Sequence, residues 1–155
     1  LLITLYMVCN NLLVKPTLYL SAFFEKNKQL YYDNLTGART NNNLTQWLKF
    51  FLKGVRETAE SSINTFRAII ALRHQVEYND ILTLGKKTPL AQKFLHCLYS
   101  RPITDSRETS ENLSINPSTA NRLIDDFIKL GILKEVTGYK RNRVFVFEKY
   151  LQLFD

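Results

Sequence analysis

Apolar positions recur at helical spacing over most of the chain. The run from Leu1 to Val14, interrupted at Cys9-Asn10-Asn11, predicts a core helix, closed by Pro16 because proline cannot continue a helix interior. Ser21 is a plausible N-cap for a second helix, with Phe24, Lys28, Tyr31, Tyr32 and Leu35 following at helical spacing and Gly37 near its end. Asn41-Asn42-Asn43 reads as a polar turn. The longest stripe then runs through Leu44, Trp47, Leu48, Phe51, Val55, Ala59, Ile63, Phe66, Ile70 and Val76, and predicts one helix from Leu44 to about Tyr78. Such length suggests a helix that links two domains or pairs with a second copy as a homodimer. The pattern lapses over Asn79 to Thr88, where Gly85-Lys86-Lys87 reads as a linker. The expected domains are therefore residues 1–85 and 86–155.

Beyond the linker, Thr88-Pro89 opens a helix carrying Leu90, Phe94, Leu95 and Leu98, and Pro102 ends it. Thr104 or Asp105 would cap a second short helix running to about Leu113. Asn116-Pro117 opens a third, whose Ala120, Leu123, Ile124, Phe127 and Ile128 form one face before Gly131. Ile132–Val136 and Val144–Phe147 have strand character, separated by a basic turn that includes Lys140, Arg141 and Arg143. Three helices and a basic-tipped hairpin resemble a winged helix-turn-helix, and the string LSINPSTANRLIDDFIKLGILKEVTGYKRNRVFVF is similar to that family. The resemblance implies that Ser118, Thr119, Asn121 and Arg122 would face base edges of double-stranded DNA, with Lys140, Arg141 and Arg143 on phosphates. Asp125 and Asp126 on the same helix weigh against it, as does a domain charge of only +4. The bland reading is a module used for packing or protein contact.

The 155 residues are 45% hydrophobic and 23% charged, which excludes disorder as the main state. Five Gly and four Pro argue against a turn-rich all-β fold, so a mainly α protein is expected. The net charge of +7 divides evenly over the two halves. Cys9 and Cys97 lie far apart in apolar runs and read as buried free thiols in a reducing cytoplasm. His74 and His96 lack a neighbouring His or Cys at ligand spacing, so no metal site is expected. The first apolar run is too short to span a bilayer, and no membrane partner is expected.

The order of residues in LLITLYMVCNNLLVKPTLYLSAFFEKNKQLYYDNLTGAR and WLKFFLKGVRETA resembles the segment that follows the catalytic motif of Fic-family proteins, in whose bacterial members a winged helix is a common companion. The elements carrying it are Leu1-Leu2-Ile3, Pro16, Leu18 to Ser21, Asn27, Tyr31-Tyr32 and Trp47 to Phe51. Fic proteins transfer AMP from ATP to a hydroxyl of a target protein (AMPylation), using a His-Pro-Phe-x-x-Gly-Asn-Gly-Arg loop and Mg²⁺. That motif would end just before Leu1 and is absent, so the chain reads as a truncated fragment of an adenylyltransferase, itself without catalytic residues and inactive. ATP, Mg²⁺ and the target protein are thus expected for the intact parent alone. The resemblance also implies nucleotide contact by Tyr31 or Tyr32, with Arg39 near the same pocket. The alternative is a DNA-binding transcriptional regulator whose helical half dimerises.

Overall fold

The computed structural model describes residues 2–13, 19–139 and 141–154, and the roles expected of Leu1, Pro16, Leu18 and Lys140 fall outside them. The chain is mainly helical, with one small antiparallel sheet. It divides into two units, Leu1–Asn64 and Thr65–Asp155.

In the first unit α1 (Leu2–Cys9) ends before Asn10, and Asn11 takes a left-handed φ of 56°. The second helix expected from Ser21 is two helices. α2 (Leu20–Lys26) starts two residues earlier, with Tyr19 at the N-cap position and no side-chain cap, and α3 (Lys28–Asn41) runs on through Gly37. Asn27 separates them, its side-chain amide donating to the Phe23 carbonyl at 2.9 Å. The polar turn forms as read: Asn42 closes α3 with φ 51°, and Asn43 Oδ1 accepts from the Gln46 N–H at the start of α4 (Leu44–Gln75). Phe23, Phe24, Tyr31, Trp47 and Phe50 form an aromatic cluster with ring centroids between 4.8 and 6.5 Å. Gly54 admits the Phe23 ring so closely that a Cβ would sit 2.6 Å from its Cδ1.

The division between units falls within α4 rather than at Gly85. The reason is packing: Val76 and Ile81 are buried in the core of the second unit, with Leu72 and Leu84 against it. A π-helical turn (Val76–Asp80) and a 3₁₀ segment (Ile81–Lys87) carry these side chains, so the stretch expected as a linker is structured up to α5 (Thr88–Ser100). Cys9 is exposed and Cys97 half-buried, against the expectation of two buried thiols.

The remaining elements are β1 (Ile103–Asp105), α6 (Ser106–Leu113), α7 (Pro117–Lys129), β2 (Lys134–Glu135), β3 (Val144–Val146) and α8 (Glu148–Leu151). Strand order is β1-β3-β2, with Thr104 opposite Phe145 on one side and Glu135 opposite Phe145 on the other. The hairpin strands are shorter than their apolar runs. Ile132 and Leu133 instead complete the end of α7, where Ile132 N–H bonds to Phe127 O and Gly131 N–H to Ile128 O around Gly131 at φ 66°. Phe94, Phe127, Phe145 and Phe147 fill the core between these elements. Among the described residues no helix is long and apolar enough to cross a membrane.

Candidate nucleic-acid interface

Local chemistry fixes how α7 is presented. Asn116 stands in extended backbone and its side chain accepts from the Thr119 N–H at 2.8 Å, while Pro117 takes the first helical position, where no N–H is needed. The buried positions Ala120, Leu123, Ile124 and Phe127 orient the helix. Its opposite face leaves Ser118, Asn121, Arg122 and Asp125 exposed. Thr119 is half-buried and contributes its N–H to the cap.

α6 opens on its own cap, Asp105 Oδ1 accepting from the Glu108 N–H at 2.8 Å. Thr109 is buried beneath it, its hydroxyl 3.0 Å from that of Thr104. An open groove of about 830 Å³ lies between α6, the start of α7 and the β2–β3 hairpin. Asn121 of α7 and Arg141 and Arg143 of the hairpin line it together. Sequence reasoning missed Ser106, Arg107 and Ser110, which line the same groove from α6. The signal was the polarity of the first turn of that helix, read only as a capping pattern.

The cations of this surface are not equivalent. Arg143 Nη2 donates to Glu135 Oε2 at 2.6 Å, and its guanidinium lies over the Phe145 ring at 5.0 Å. The Glu135 hydrogen bond holds Arg143 charged, and holds the Glu135 carboxyl below the usual carboxylate range. Arg107 is paired with Glu111 at 2.8 Å. Arg122 and Arg141 are exposed and enter no ion pair among the described residues. Asp126, which weighed against a phosphate-rich partner, is paired with Lys87 and largely buried. Asp125 remains exposed and acts on Arg143 through space.

The residues expected at a nucleotide belong to the first unit. Tyr31 is half-buried in the aromatic cluster, 4.8 Å from Phe24 and 5.7 Å from Trp47 by ring centroids. Tyr32 is 54% exposed. Seven positions after Tyr32, two helical turns on the same face of α3, Arg39 is exposed too. Tyr31 and Tyr32 pack edge to face at 5.4 Å, and Tyr32 shares its exposed side of α3 with Arg39. Among the described residues no three His, Cys, Asp or Glu side chains gather as a metal site. Comparison with protein-family models finds none that matches the sequence.

Proposed function

We propose that residues 86–155 are a winged helix-turn-helix module that binds double-stranded DNA, with α7 in the major groove and the β2–β3 hairpin as the wing. The observation that supports this most is the shared groove: Asn121 from the helix and Arg141 from the hairpin line one open concavity, beside the exposed Arg122. Side chains suited to base edges and to phosphates thus face one ligand. The neutralisation of Asp126 by Lys87 removes one of the two carboxylates that would oppose it. Arg143, held by Glu135, shapes the hairpin in this reading, and Arg141 makes the phosphate contact. The test is binding to a randomised duplex pool over a salt series starting at roughly 50 mM. Arg141→Ala should weaken all sequences alike and flatten the salt slope by about one, whereas Arg122→Ala should relax preference at one base pair by about 1–3 kcal/mol. Absence of duplex binding, or an Arg122→Ala preference identical to the parent's, overturns the reading.

For a protein in which the His-Pro-Phe-x-x-Gly-Asn-Gly-Arg motif precedes this segment, we propose adenylyl transfer from ATP to a protein hydroxyl, a reading that rests on the order of residues in the first half. What favours it here is the exposed face of α3 shared by Tyr32 and Arg39. Fluorescence titration with an N-methylanthraniloyl ATP analogue and Mg²⁺ tests it. Tyr32→Ala and Arg39→Ala should each weaken binding by about tenfold, and binding unchanged by both would remove this face from consideration.

A further inference from the structure

The second unit carries another concavity, of about 510 Å³, that shares no lining residue with the groove at α7. Its size falls in the range of sites for small organic ligands. Tyr99 of α5 and Tyr150 of α8 line it with rings 5.5 Å apart and inclined at 63°, and Ile69 adds an apolar wall. Around this aromatic lining stand the guanidinium of Arg73, the amide of Gln92 and the imidazole of His96.

The polar groups are unevenly matched. Glu77 is the single carboxylate of the lining, and it already accepts from Arg73 Nε at 2.7 Å. The terminal nitrogens of Arg73 bond to no other described residue. The same guanidinium lies 5.8 Å from the centre of the Tyr99 ring. The Tyr99 hydroxyl is buried and has no hydrogen-bond partner among the described residues. Burial first, and the charge of Glu77 second, push its pKa up to about 12. Donors outnumber free acceptors around the two tyrosine rings. A ligand complementary to this groove supplies a planar ring and an anionic acceptor.

We propose that the groove between the end of α4, α5 and α8 binds a small aromatic carboxylate, with its ring against Tyr99 and Tyr150 and its carboxylate at the terminal nitrogens of Arg73. The assignment is independent of DNA binding, since no residue is shared between the two surfaces.

The test is a ¹H–¹⁵N titration of the chain with 2-naphthoate, and in parallel with the neutral, nearly isosteric 2-naphthamide. Saturable shifts confined to residues around Arg73, Tyr99 and Tyr150 are expected for the acid, with a dissociation constant on the order of 1 mM or below. The amide should bind at least about tenfold more weakly, and so should the acid to Arg73→Gln, whose fold is checked by its thermal transition without ligand. Shifts that do not saturate, that map elsewhere, or that are equal for acid and amide overturn the proposal. The acid–amide comparison needs no variant, so it decides the question even if Arg73→Gln does not fold.

Discussion

The two units spend their apolar residues differently. The second gathers Phe94, Leu98, Leu123, Phe127, Phe145 and Phe147 into one cluster, each at 2% exposure or less. In the first, the buried hydrophobics among the described residues are Leu20, Phe23 and Phe50, while Leu44, Leu48 and Ile63 of the long stripe stay exposed. A stripe at helical spacing therefore says that a face is apolar, and not that this chain covers it. Close packing in the second unit makes every lost methylene count, whereas a partly open aromatic cluster can relax around a deletion.

The largest effect should come from setting one phenylalanine of each unit against the other. Phe127→Ala removes a ring that is fully buried and 4.7 Å from Phe94, and should cost about 3–5 kcal/mol in denaturant unfolding of the second unit. Phe50→Ala, at 8% exposure, should cost about 2 kcal/mol in the first. Equal losses would mean that the aromatic cluster is as tightly packed as the second core. Next comes Gly54, where α4 packs directly against the Phe23 ring. In an open helix Gly→Ala gains about 1 kcal/mol, but a Cβ at 2.6 Å from the Phe23 ring should reverse the sign to a loss of about 1–3 kcal/mol. Gly37→Ala on α3, with nothing within 4 Å, is the control and should stabilise by roughly 0.5–1 kcal/mol. Smaller again is Asn116→Ala, which deletes the acceptor of the Thr119 N–H and should cost about 1 kcal/mol while leaving the first unit's transition in place.

What was readable in the sequence divides along the same line as the packing. Where local chemistry determines the backbone, it was legible: Asn116-Pro117 as a helix start, Gly131 as its end, Asn42-Asn43 as the turn before α4. Asn79 to Leu84 read as a lapse because a π turn and a 3₁₀ segment shift the side-chain period away from 3.6, so buried Ile81 falls out of an α-helical search although Val76, just before the lapse, closes the long stripe. β1 has three residues and pairs with a strand some forty positions later, which no local pattern announces. Of the candidate interface, the exposed Ser118, Asn121 and Arg122 followed from helical phase once the buried face of α7 was known. The pairing of Arg143 with Glu135 did not, because it depends on the register that sets Glu135 opposite Phe145.

That pairing gives the smallest of the expected effects, and one that separates the two kinds of arginine on the hairpin. Glu135 has its carboxyl held below the ordinary range, chiefly by the hydrogen bond from Arg143. A carboxyl whose folded pKa is depressed contributes stability that is present above its unfolded pKa, near 4.3, and is lost as pH falls through the lower folded value. Lowering the pH through that window should release Arg143 from Glu135 and loosen the turn from Thr137 to Arg143, while Phe145 stays in the core. Side-chain carbonyl shifts of Glu135 followed by NMR should therefore titrate below the unfolded value, with the Arg143 Nε resonance moving in step. In Arg143→Gln the Glu135 midpoint should return upward. In Arg141→Gln it should not move, since Arg141 makes no ion pair with it. If both variants shift Glu135 equally, the hairpin's cations act as a diffuse field, and the distinction between a shaping arginine and a binding one is lost.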